Sequence, residues 1–129
     1  MPASPVPTPS APPVAGPYSP AVRAGDFVFL AGQIAIDPAT GKLVEGNVEA
    51  EANQVLANIA AILGDLDAEW TDVVKATIFL AGSLDHFGTV NDCYAAAVGD
   101  HRPARSTFAV AALPLGAAVE IEVVVHRPS

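Results

Sequence analysis

The period of the apolar residues first changes about a third of the way along this chain, at Asn47, and that change restricts the fold more than any other feature. Before it, Phe27-Val28-Phe29-Leu30-Ala31-Gly32 is a short continuous apolar run with the look of a buried strand, and Ile34 to Ile36 extend it past a kink at Gly32. After it, Val55, Leu56, Ile59, Leu63 and Leu66 recur at threes and fours, which is the spacing of one face of an amphipathic helix. Asn47 has a side chain suited to capping the start of that helix, and Gly64 loosens its last turn. Between the two regimes, Asp37-Pro38-Ala39-Thr40-Gly41-Lys42 has the composition of a tight turn and predicts a hairpin.

The alternation of regimes continues downstream. Val73 to Leu80 is rich in β-branched residues and predicts a strand that ends at Ala81-Gly82. Phe87, Val90, Tyr94 and Val98 mark a second helix, capped by Ser83 or Asp85 and stopped by Gly99. Two last strands, at about 105–111 and 118–126, flank the loop Leu113-Pro114-Leu115-Gly116. The order strand, strand, helix, strand, helix, strand, strand predicts an α+β fold, a mixed sheet with two helices packed on one face.

No element is left to cover the other sheet face, although Val28, Leu30, Ile78 and Val125 alternate with further apolar positions. A chain of 129 residues that is 51% apolar and 16% charged has much to bury, so an oligomer built sheet to sheet is expected. Residues 1–15 are a Pro/Ala/Ser/Thr stretch without period and read as a disordered or loosely draped arm; residues 16–129 form the folded domain.

Charge and cysteine usage exclude several classes. The net charge is −8 and the six lysines and arginines are scattered, whereas phosphate-backbone binding needs clustered cations, so no nucleic-acid partner is expected. Cys93 is alone, so no intrachain disulfide forms, which suits a reducing compartment. His86, His101 and His126 lie far apart and predict no metal site. The first basic side chain is Arg23, prolines interrupt all that precedes it, and the longest apolar run is far short of a bilayer span. These features predict a cytoplasmic protein with no membrane segment.

The chemistry-bearing stretch is Pro103-Ala104-Arg105-Ser106-Thr107-Phe108, followed by Val119-Glu120-Ile121-Glu122-Val123. If the two strands form a hairpin closed by Ala112 to Ala117, Arg105, Thr107, Glu120 and Glu122 share one sheet face. Arg105 and Glu120 then lie four positions apart, roughly 13 Å, a gap suited to a small substrate rather than an ion pair. From spacing alone, a solvated sheet face carrying Arg105, Glu120 and Glu122 is the favoured reading. A guanidinium grips a carboxylate through two parallel hydrogen bonds, and a buried carboxyl has a raised pKa that suits a proton relay. Tyr18 reads as a core aromatic or a pocket wall, Gly32 as a bulge or a point of close ligand approach, and Asn91 as a solvated helix residue or a site neighbour. Trp70 reads as packing. Cys93 has no basic neighbour in sequence and Ser19, Ser83 and Ser106 have no histidine at motif spacing, so neither thiol nor serine nucleophile is supported.

Six stretches, in order over residues 16 to about 126, resemble the Rid (YjgF/RidA, L-PSP) family of reactive-intermediate deaminases. They are Gly16-Pro17-Tyr18-Ser19-Pro20-Ala21, Ala31-Gly32-Gln33-Ile34 with Asp37-Pro38-Ala39-Thr40-Gly41, Asp72 to Leu80, Phe87 to Tyr94, Pro103 to Thr107, and Leu113-Pro114 with Val119 to Glu122. The resemblance implies a chorismate-mutase-like fold and a homotrimer with a central β-barrel and sites between subunits. It also implies hydrolysis of 2-imino acids and their enamine tautomers to 2-keto acids and ammonia, without a cofactor. By the same resemblance Arg105 holds the substrate carboxylate, Glu120 relays protons through an ordered water, and Thr107 helps place that water. Tyr18, Ala31, Gly32 and Asn91 line the cleft. Family members often carry a serine where this chain has Ala31, and cysteine or valine where it has Thr107. A ligand-binding trimer without turnover and, less favoured by the acidic charge, an endoribonuclease are the alternatives.

Overall fold

A computed structural model describes residues 2–129 as a mixed sheet with two helices on one face. The elements are β1 (Ser4–Pro5), β2 (Ala21–Ala24), β3 (Phe27–Leu30), β4 (Ile36–Asp37), β5 (Lys42–Leu43), α1 (Val48–Asp65), β6 (Val73–Ala81), α2 (Phe87–Val98), β7 (Ala104–Val110) and β8 (Val119–His126). The main sheet has the order β1-β2-β3-β8-β6-β7. β6 and β7 run parallel and every other pair is antiparallel. β4 and β5 form the small hairpin predicted around Asp37–Lys42, with Ile36 opposite Leu43. Among the described residues no helix is long and apolar enough to cross a membrane.

The first helix begins where the apolar period changes. Asn47 Oδ1 accepts the Ala50 N–H at 2.9 Å, and Glu49 and Glu51 place negative charge in the first turn, where the helix dipole favours it. Its inward face supplies Ile59, Ile62 and Leu63, fully buried against Val28, Ile78, Val119, Ile121, Val123 and Val125 of the sheet. Gly64 remains helical. The second helix differs at its start: neither Ser83 nor Asp85 caps it. Ser83 Oγ instead accepts the Asp85 N–H at 3.2 Å within the preceding turn, a local bond that competes with capping, and His86 precedes the helix without a side-chain bond. Gly99, with φ of +65°, ends α2.

Three further expectations, all concerning strands, change. The last two strands do not form a hairpin, because β6 lies between β7 and β8 and pairs with both. The segment β6-α2-β7 is a parallel crossover unit, and the Pro114–Gly116 turn carries the chain over the end of β6 to its other edge. Ala81 and Gly82, at the end of β6, donate to Ala118 and Val110 respectively and tie both neighbours there. The residues 1–15 arm is the second difference: β1 pairs with β2, so Ser4 lies opposite Arg23 and Pro5 opposite Val22. Prolines fit such an edge, where missing donors cost little. The third is β2 itself, a short strand joined to β3 by the two-residue turn Gly25–Asp26 and absent from the predicted order.

The uncovered sheet face is aromatic. Val28, Leu30, Ile78 and Val125 all point toward the helices, while Phe27, Phe29 and Phe108 on the opposite face are 41%, 48% and 52% exposed. Phe79 stacks on Phe108 there, ring centroids 6.4 Å apart.

Replacing the working cap tests the helix assignment. Asn47→Ala should cost about 1 kcal/mol in urea unfolding, whereas Ser83→Ala should change stability by no more than about 0.5 kcal/mol.

Candidate functional site

Strand pairing assigns each candidate to a face. Arg105 lies beside Ala76 and Thr107 beside Ile78, so both point to the helix side of the sheet. Glu120 lies beside Phe79 and Glu122 beside Thr77, on the open side. The expected sharing of one face by Arg105 and Glu120 is therefore wrong within a single chain. It rested on a β7–β8 hairpin, and the intervening β6 reverses the relation. The candidates fall instead into two clusters.

The first cluster lies where α2 crosses β7. The Arg105 guanidinium carbon is 5.0 Å from the centroid of the Tyr94 ring and 5.7 Å from that of Phe87. Two aromatic faces, rather than a carboxylate, steady this cation, and its N–H fork is left for another acceptor. A narrow cleft beside it is lined by Asn91, Thr107, Phe87 and Leu80. Two hydroxyls here, Thr107 Oγ1 and Tyr94 OH, are buried without a hydrogen-bond partner among the described residues. Orphaned buried hydroxyls are costly, about 1–3 kcal/mol each, and are concentrated where a ligand or water completes the bonding. Burial pushes the Tyr94 phenol up, against the opposing pull of Arg105 and then Arg102. Asn91 is half-buried at the cleft and belongs to this cluster.

The second cluster surrounds Glu120. After β3 the chain stays alongside β8: Gln33 N–H donates to Ile121 O at 2.9 Å and Ile121 N–H returns to Gln33 O at 3.1 Å. This pair presses Gly32 against the Glu120 carboxylate. A Cβ on Gly32 would sit 2.7 Å from Glu120 Oε2, so the close approach requires glycine or a displaced carboxylate. Ala31 and Tyr18 stand in the same groove. Tyr18 is 52% exposed, which makes it a wall and not a core aromatic. Burial raises the Glu120 pKa from its ordinary value, and the like charge of Glu122 raises it further.

The aromatic cradle of Arg105 was missed as a site feature. Phe87 and Tyr94 were legible only as the apolar face of α2, and their seven-residue spacing one strand away from an arginine was the available signal. Cys93 is a buried thiol whose pKa is pushed up by burial and then by Glu49 and Asp92, in keeping with an inert side chain. Among the described residues no three of the His, Cys, Asp and Glu side chains converge as a metal-ligand set.

The raised pKa of Glu120 has a consequence for stability. The folded state holds this proton more tightly than the unfolded chain, so the contribution of Glu120 to stability is full below the unfolded value of about 4.3 and is lost as pH rises through the folded value. Glu120→Gln should therefore raise Tm at pH 7, with the gain vanishing at pH 4 and below, as read by thermal melts across that range.

Comparison with known proteins follows the same outline. The family model described as Endoribonuclease L-PSP matches residues 8–127. Reactive Intermediate Deaminase A, chloroplastic, of Arabidopsis thaliana is 49% identical over 91% of this chain and 62% of its own length. The 2-iminobutanoate/2-iminopropanoate deaminase of Bos taurus is 46% identical over 91% of this chain and 85% of its own. The crystal structure of RidA from an Antarctic Psychrobacter superposes with a TM-score of 0.88 at 40% identity, covering 97% of that chain and 94% of this one. With the family model spanning nearly the whole chain and relatives this similar, the protein belongs to the L-PSP family, the Rid (RidA/YjgF) proteins.

Proposed function

We propose that the protein is an enamine/imine deaminase, converting 2-imino acids and water to 2-keto acids and ammonia, at a site shared by two copies of the chain. The observation that carries this reading is the separation of the clusters: Arg105, Asn91 and Thr107 open on the helix side of the sheet, and Glu120, Gly32 and Tyr18 on the other. Each is half of a site, one with an anion grip and no proton relay, the other the reverse. Head-to-tail contact between unlike patches brings the halves together and closes into a ring, a trimer in this reading. The exposed Phe27, Phe29 and Phe108 supply the surface such a ring buries at its centre, as a β-barrel.

The chemistry needs little beyond what the two halves hold. Arg105 takes the substrate carboxylate through two N–H···O bonds, and the Thr107 hydroxyl, unpaired among the described residues, helps place the substrate or its water. Water adds to the C=N carbon of the protonated imine as one of its protons passes to the Glu120 carboxylate, giving a neutral carbinolamine. Glu120 returns that proton to nitrogen, the C–N bond breaks as the carbinolamine hydroxyl gives its own proton to the Glu120 carboxylate and C=O forms, and ammonia leaves, taking that proton as ammonium. An enamine enters the same route once protonated at its β-carbon. A carboxyl with a raised pKa exchanges protons more readily near neutral pH, which is what both steps ask of Glu120.

One observation favours a second reading, a ligand-binding ring without turnover. Ala31 stands in the Glu120 groove and offers no hydroxyl to a bound intermediate. In that case 2-keto acids bind by calorimetry while imino acids generated by an amino-acid oxidase persist to be trapped by semicarbazide.

For the deaminase, the protein should reduce semicarbazide trapping, and Arg105→Ala should abolish the effect by about 100-fold or more, with Arg105→Lys failing to restore it. Light scattering should return three times the chain mass. Unfolded and refolded together in equal amounts, inactive Arg105→Ala and Glu120→Gln chains should regain about a quarter of wild-type activity, since a quarter of the junctions then pair an intact Arg105 with an intact Glu120. No recovery in mixed rings would show that both residues serve one site from the same chain and would sink the shared-site reading.

A further inference from the structure

We infer that the proline-rich N-terminal arm is the wall that sets substrate size, so that residues 12–15 limit the site to 2-imino acids with small apolar side chains. This rests on the deaminase reading and adds which substrates it accepts. Pro12, Pro13 and Ala15 line the groove that holds Glu120, together with Ala31 and Leu115. Glu120 is the charged side chain of that groove, and the surfaces around it are largely apolar. A substrate whose carboxylate is held at Arg105 and whose C=N carbon reaches Glu120 has its side chain left over. The apolar part of this groove is where that side chain goes.

The arm is built to hold its position. Ser4 and Pro5 pair with β2, Val6 N–H donates to Ala21 O at 3.0 Å, and Val6 and Ala11 pack on the core. Ser10 then makes two bonds to one carboxylate at the end of α1, N–H to Asp65 Oδ2 at 2.8 Å and Oγ–H to Asp65 Oδ1 at 2.7 Å. After the groove, Ala31 N–H donates to Pro20 O at 2.8 Å and the chain enters β2 at Ala21, paired opposite Leu30. Residues 11–15 are thus pinned on both sides of the groove. Two consecutive prolines make the span between the pins stiff, since each fixes its own φ and restricts the residue before it. Pro13 approaches Gly41 of the β4–β5 turn, which closes the wall against the domain. A flexible arm would yield to a larger side chain; this one resists it.

The test compares two substrates in three proteins: wild type, Pro12→Gly with Pro13→Gly, and Ala15→Leu. The readout is the ratio of kcat/KM for 2-imino-4-methylpentanoate to that for 2-iminopropanoate. Softening the wall should raise the ratio by about fivefold or more, and adding bulk at residue 15 should lower it by a similar factor. A ratio that stays within about twofold in both variants, or two substrates that rise and fall together, overturns the inference. Calorimetric Kd values for 4-methyl-2-oxopentanoate and pyruvate give the same ratio without turnover. If the Kd ratio shifts as expected while no imino acid is consumed, the wall stands and the deaminase reading fails. If neither keto acid binds the wild type, both fall.

Discussion

The backbone ladder of β6 is the constraint on which the rest of the molecule depends. This strand pairs in parallel with β7 and antiparallel with β8, and the period-two alternation of side chains then leaves no freedom to either neighbour. With Ala76, Ile78 and Leu80 buried under the helices, Arg105 and Thr107 follow them, and Glu120 and Glu122 are sent to the opposite face. Core packing and site geometry are thus one decision. A slip of β7 by one residue would expose the cation, bury Ser106 and Phe108 under α2, and dismantle the core as well as the site.

That arrangement leaves two groups in surroundings that oppose simple stability. Arg105 is steadied by aromatic rings and keeps its hydrogen-bonding fork unused, and Glu120 is desolvated beside Glu122 and pressed by Gly32. Thr107 and Tyr94 add buried hydroxyls without partners among the described residues. A fold selected for stability alone would satisfy or remove such groups, and their clustering in two places is the ground on which the proposed shared site rests. The open aromatic face belongs with them, since a surface carrying Phe27, Phe29 and Phe108 is stable in water chiefly when another surface covers it.

Local rules carried well where the interaction is local. The start of α1 at Asn47, the end of α2 at Gly99 and the β4–β5 turn are set by groups within a few residues of one another, and each was legible from residue type and spacing. The cap of α2 was not, because Ser83 had a nearer donor in Asp85 than in the helix. A loosely draped arm was one of the two sequence readings, but its fixed attachment was not legible, because the anchors at Ala21, Arg23 and Asp65 are distant in sequence and Pro/Ala/Ser composition carries no trace of them.

The sequence by itself determined the two helices, the apolar strands, the α+β class and the residues able to do chemistry, because period, capping and side-chain type are properties of short stretches. Only the tertiary structure decided where that chemistry stands. Two strands joined by a short loop look alike in sequence whether they pair directly or admit a third strand between them, yet the two arrangements put Arg105 and Glu120 on the same face or on opposite faces. The choice is made by the parallel crossover through α2, a long-range pairing that no local spacing records. It divides the candidate site into two halves within one chain.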